Sequence, residues 1–137
     1  MYLVSGWSNK MEVYIFDGLI CTDVIITFHG KTKVLKNVVI DTGAVQSIIN
    51  SALVEDIGII PNISDKPVKT RGIGGEMKFF YRKVDKIAIG DISLKNMIID
   101  FGDIDPNGEI AGLIGLDILR ELKAVIDVEI PVIYTKK

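Results

Sequence analysis

Short runs of alternating apolar and polar residues, broken by turn-forming residues, fill this sequence and predict a mostly β domain with one or two short helices. Leu19 to Phe28 is rich in β-branched and aromatic types, His29-Gly30-Lys31 reads as a turn, and residues 32–40 read as the returning strand. This hairpin delivers the chain to Asp41. Beyond it, Asn50 or Ser51 is placed to cap a short helix over residues 52–56 that Gly58 would end. Pro61 and Pro67 mark a loop. Residues 68–70 and 77–84 read as two strands joined by Arg71-Gly72-Ile73-Gly74-Gly75-Glu76, and residues 87–89 and 92–94 as two more around Gly90-Asp91. Residues 97–101 have the composition of a buried strand. The period then changes: Leu116, Leu119 and Leu122 recur at helical spacing, which predicts a helix within residues 112–123. Ile126, Val128 and Ile130 alternate with Asp127 and Glu129, the pattern of a last strand before Pro131.

The chain has 137 residues, with no internal repeat and no linker, so a single domain over residues 1–137 is expected, with residues 1–10 as a loose arm. Sixteen basic residues stand against 18 acidic ones, and no basic patch stands out, which removes the electrostatic basis for nucleic-acid binding. Cys21 is the single cysteine, so neither an intrachain disulfide nor a cysteine-based metal site can form, and a reducing compartment is expected. No signal-peptide pattern opens the sequence and no apolar run reaches membrane-spanning length, so a cytoplasmic protein with no membrane partner is expected.

Three segments carry candidate chemistry. In Val38-Val39-Ile40-Asp41-Thr42-Gly43-Ala44, an acid directly follows three β-branched residues, at the end of a buried strand. A carboxylate there is costly to desolvate unless donors surround it; Thr42 offers a hydroxyl and Gly43 a backbone that can approach closely. Taken alone, the triplet reads equally well as a turn with Asp41 satisfied by local amides. Gly72-Ile73-Gly74-Gly75 is a hairpin tip whose amides can reach a ligand, or a plain glycine-rich turn. It lacks the lysine and the strand-to-helix context of a phosphate loop. Leu113-Ile114-Gly115 before a helix is a packing device, and Asp117 could cap that helix or support a neighbouring loop.

The order of these segments is more specific than any one of them. An apolar strand into Asp-Thr-Gly-Ala, a short helix, a glycine-tipped hairpin and apolar-apolar-Gly before a helix closely resembles the retropepsin-like aspartic proteases, over Leu19 to Ile130. The resemblance implies a closed barrel that is half of an acid protease and acts as a two-fold homodimer. It matches Asp41 to the catalytic aspartate, Thr42 to the threonine that locks the two active-site loops across the dimer axis, and Gly43 to the glycine whose backbone meets the substrate. Ala44, Gly72, Ile73 and Gly74 match substrate-binding positions, the last three at the tip of a flap that closes over the peptide. Leu113-Ile114-Gly115 matches the apolar loop beneath the active-site loop, and Ala44 separates retropepsins from the two-domain pepsins, which usually carry a hydroxyl residue there. Val45 and Leu116 depart from the family, whose viral members often place an acid and an arginine there as an ion pair; a direct apolar contact is the expected replacement. Ser47 and Asp117 match a hydroxyl and a polar residue that bond to each other in relatives.

Hydrolysis by this chemistry needs a base to activate water and an acid to protonate the carbonyl oxygen. Two carboxylates at close range serve both needs, because like charges force one of them to keep its proton. The chain has one Asp-Thr-Gly, so the second carboxylate must be Asp41 of another copy. The expected function is therefore that of an aspartic endopeptidase acting on a peptide or protein substrate, without metal or cofactor. The alternatives are a catalytically silent retropepsin-like module for dimerisation or peptide binding, and a small β-barrel that binds a ligand without chemistry.

Overall fold

The computed structural model describes residues 7–65, 68–72 and 75–136. Among the described residues eleven strands run in chain order: β1 (Trp7–Glu12), β2 (Tyr14–Phe16), β3 (Leu19–Phe28), β4 (Lys31–Ile40), β5 (Ile48–Asn50), β6 (Val68–Gly72), β7 (Gly75–Ile89), β8 (Ile92–Gly102), β9 (Gly112–Ile114), β10 (Ala124–Asp127) and β11 (Val132–Lys136). One α-helix, α1 (Leu116–Glu121), lies between β9 and β10. Eight strands form one sheet in the order β2-β3-β4-β9-β5-β8-β7-β6, and an extra pairing of β3 with β7 closes six of them into a barrel. The remaining three form a small sheet in the order β1-β11-β10.

The long hairpin forms where the pattern predicts it. On β3, Thr22, Val24, Ile26 and Phe28 point inward at period two, while Asp23 and Ile25 stay exposed. His29 and Gly30 both take positive φ, 48° and 81°, the tight turn that matches the twist of the flanking strands. On β4 the inward alternation is broken once. Leu35 and Val38 are both buried, and the register slips by one residue opposite Thr22 and Val24. Asn37, at φ 62°, sits in this bulge. It is held by its N–H donating to the Tyr14 hydroxyl (3.0 Å), its carbonyl accepting from the Ala111 N–H (3.1 Å), and its side chain donating to the Glu109 carbonyl (3.2 Å). The bulge re-aims Val38, Val39 and Ile40, and so the residue that follows them.

Three expectations need correction. Residues 52–56 do not form an α-helix; two 3₁₀ turns, Ser51–Leu53 and Glu55–Ile57, fill the space, closed by Gly58 at φ 92°. Asn50 belongs to β5 and gives no side-chain cap. The span is too short to repay helix nucleation, and burying Val54, Ile57 and Ile59 sets the path instead. The helix predicted within residues 112–123 is present as α1, directly after Gly115, and the apolar pair before it belongs to the barrel as β9. The last strand is also split. Asp127 accepts the N–H groups of Glu129 (3.0 Å) and Ile130 (3.3 Å), which turns the chain, leaves Val128 and Ile130 exposed, and leads through a cis Ile130-Pro131 bond into β11. Residues 7–10 are not a loose arm either: they pair with β11 as part of β1, and Met11 is buried.

Candidate active site

β9 sets the position of Asp41. It lies between β4, to which it is parallel, and β5, to which it is antiparallel, pairing Ile40 with Ile114. The Asp41 N–H donates to the Ile114 carbonyl (2.9 Å), so the ladder extends one residue beyond the strand and fixes the backbone at Asp41. The chain then turns out of the sheet, with the Ala44 N–H on the Asp41 carbonyl (3.2 Å). Asp41 is half-buried, whereas Thr42 and Gly43 are exposed. The Gly43 N–H donates to Asp41 Oδ1 (2.9 Å), one of the donors expected around this carboxylate. Gly43 does not use a left-handed conformation; a Cβ there would lie 3.2 Å from Asp41 Oδ1, so what glycine provides is room beside the carboxylate.

The segment after β9 lies directly beneath this loop. Leu116 N–H donates to the Ala44 carbonyl (2.8 Å) and Asp117 N–H to the Val45 carbonyl (3.2 Å). Gly115 is pressed so closely against the loop that a Cβ would sit 2.7 Å from the Ala44 carbonyl oxygen and 2.9 Å from the carbonyl carbon and oxygen of Gln46. Ser47 and Asp117 do bond to each other. Asp117 accepts the Ser47 N–H (3.0 Å) and hydroxyl (2.6 Å), and Ser47 Oγ accepts the Gly115 N–H (2.8 Å). Both ends of the Asp41 loop are therefore tied to the start of α1. Val45 is 74% exposed and Leu116 37%, so any contact between them leaves both open to solvent in the single chain.

The glycine hairpin pairs β6 with β7 antiparallel up to Gly72 opposite Gly75; Ile73 and Gly74 lie outside the described residues. Between β7 and the Asp41 loop, a groove of about 620 Å³ is bordered by Gln46, Ser47, Tyr81, Ile98, Asp100 and Asp117. Burial, and then the charge of Asp117, push the Asp100 carboxyl above its ordinary value of 3.8. A carboxyl whose folded value is raised is penalised once it ionises, so the fold loses stability as pH rises from about 3.8 through the raised value. Asp100→Asn is accordingly expected to melt higher than the parent at neutral pH, with the difference vanishing near pH 3, as thermal denaturation across pH would show. Sequence reasoning did not single out Asp100 or Asn37: one is a lone acid in an apolar strand, the other a bulge visible only once the register is known.

Among the described residues no group of three His, Cys, Asp or Glu is placed to hold a metal ion, and no helix is long and apolar enough to cross a membrane. An acid at the end of barrel strand β4, in an Asp-Thr-Gly turn hydrogen-bonded to Ile114 of β9, defines the class. A family profile described as "Aspartyl protease" matches residues 24–118, and the chain belongs to that family. Its fold is that of the retropepsin-like enzymes. A retropepsin-like aspartic protease from Rickettsia conorii superposes with a TM-score of 0.65 at 16% identity, covering 92% of this chain and 96% of that one. The EIAV protease complexed with the inhibitor HBY-793 superposes with a TM-score of 0.59 at 23% identity, covering 84% of this chain and 98% of that one. No curated protein sequence matches.

Proposed function

We propose that this chain is an aspartic endopeptidase of 137 residues folded as one domain, which hydrolyses peptide bonds as a homodimer in the cytoplasm. The observation that carries the reading is the placement of its one Asp-Thr-Gly: Asp41 is held by the Ile114 carbonyl while Thr42 and Gly43 face outward, open to a second copy. A two-fold axis beside Thr42 brings two Asp41 carboxylates together, and their mutual repulsion keeps one proton shared between them. The ionised carboxylate takes a proton from water as it attacks the scissile carbonyl, and the protonated one delivers its proton to the carbonyl oxygen. Thr42 braces the two loops, the Gly43 and Ala44 backbones meet the peptide, and Gly72, Ile73 and Gly74 close over it as a flap that excludes water.

Concentration dependence tests the reading. Cleavage of a mixed peptide library per mole of chain should fall on dilution in step with dissociation followed by sedimentation, and should respond neither to chelators nor to thiol reagents. Constant specific activity from a species of monomer mass would remove the shared-dyad mechanism.

A further inference from the structure

We infer that the groove between β7 and the Asp41 loop is a specificity site, in which Asp100 selects peptides carrying an arginine, or less strongly a lysine, a few residues from the bond that is cut. The protease reading above is the basis for this, and the choice of substrate is what it adds.

The groove holds about 620 Å³ and starts at Gln46 and Ser47, directly after the Ala44-Val45 stretch of the active-site loop. Gly43 and Gln46 are at most roughly 10 Å apart along the chain, at about 3.3 Å per residue. An extended peptide lying along the Gly43 and Ala44 backbones therefore passes the mouth of the groove within a few residues of its scissile bond. Under a two-fold axis each copy supplies one groove, so the selected side chain can fall on either side of the cut.

Two acids border this space, and they differ. Asp117 is fully engaged: its carboxylate accepts the N–H groups of Ser47 (3.0 Å) and Ile118 (2.8 Å) and the Ser47 hydroxyl (2.6 Å). Asp100 is half-buried, yet no donor or cation among the described residues meets its carboxyl. That carboxyl contributes no bond to the fold, and burial together with the charge of Asp117 works against its ionised form. A group that costs stability and braces nothing is of the kind that binding sites retain. A cation brought into the groove favours the ionised form that its surroundings otherwise oppose.

The walls decide which cation. Tyr81 stands directly opposite Asp100 in the β7–β8 ladder, and Ile98, two residues back along β8, shares that face. Both are open to solvent, Tyr81 at 56% and Ile98 at 59%. An aliphatic stem lies against such surface while its charged end reaches the carboxylate. A guanidinium also stacks on an aromatic ring and grips a carboxylate with two parallel N–H groups, which an ammonium cannot do. Arginine is therefore preferred to lysine.

Cleavage of a mixed peptide library maps the preference, and matched peptides with Arg, Gln or Glu at the mapped position measure it. For the parent protein, kcat/KM should be about 10-fold higher for the Arg peptide than for its Gln twin, with Glu lower still, the scale of one charge-assisted pair. In Asp100→Asn, which is expected to fold more stably than the parent, the Arg-to-Gln ratio should fall to about 1–2. Asp91→Asn removes an exposed acid from the turn that precedes β8 and should keep the parent's ratio, which separates this groove from the overall charge of the protein. Three results would each overturn the groove assignment and leave the protease reading in place. They are a library cut with no basic preference about two to four residues from the bond, a ratio that survives in Asp100→Asn, and an equal loss in Asp91→Asn. A parent protein that cuts nothing in the library removes both readings.

Discussion

Asparagine in place of Asp41 should give a folded, dimeric protein whose peptide turnover has dropped by about 10²–10⁴-fold, the range lost when a general acid or base is removed. The amide is close to the carboxylate in shape, and its oxygen can still accept the Gly43 N–H that Asp41 Oδ1 accepts at 2.9 Å. The backbone bond from residue 41 to the Ile114 carbonyl does not involve the side chain. Two asparagines do not repel as two carboxylates do, so the dimer should hold at least as tightly as in the parent. Turnover, melting temperature and dissociation constant measured on one preparation separate loss of chemistry from loss of structure. Activity within tenfold of the parent would end the assignment of Asp41.

Gly115→Ala should be damaging out of proportion to the single methyl it adds. The atoms it meets, the Ala44 carbonyl oxygen at 2.7 Å and the Gln46 carbonyl at 2.9 Å, are backbone and cannot swing aside as a side chain would. Either the Asp41 loop rises or the start of α1 moves away, and the Leu116-to-Ala44 and Gly115-to-Ser47 hydrogen bonds are strained in both cases. Overpacking of this kind costs about 1–3 kcal/mol of stability. A displacement of about 1 Å in the loop costs on the order of 100-fold in turnover. Denaturant unfolding together with turnover per folded molecule gives both numbers. A stability loss with turnover intact would mean that the apolar-apolar-Gly segment supports the barrel and not the loop.

The sequence was most legible where pattern and geometry depend on the same neighbours. Leu19 to Phe28 appears as predicted because period-two burial and the His29-Gly30 turn are local properties. The Asp41 turn, Gly115 and the Ser47–Asp117 bond were reachable because their order along the chain resembles a known arrangement. What could not be read depends on partners remote in sequence. Residues 112–114 read only as an apolar packing segment, and their place as a strand between β4 and β5 depends on both of those partners. Val128 and Ile130 alternate like strand residues but project from a turn made by the Asp127 carboxylate. Asn37 has no signal at all until Tyr14 and Ala111 are beside it.

The insertion of β9 between β4 and β5 has a consequence for the order in which the molecule is made. The backbone at residue 41 is complete only when residue 114 has paired with residue 40, and the loop is tied down only when residues 115–117 are present. A ribosome-bound chain that has emerged as far as β8 holds every residue of the Asp-Thr-Gly turn but not the floor that supports it. Long-range closure of this kind is slow compared with hairpin formation. Proteolytic competence should therefore appear late, after synthesis has passed α1, and a nascent chain would be unable to cut itself or its neighbours while still being translated.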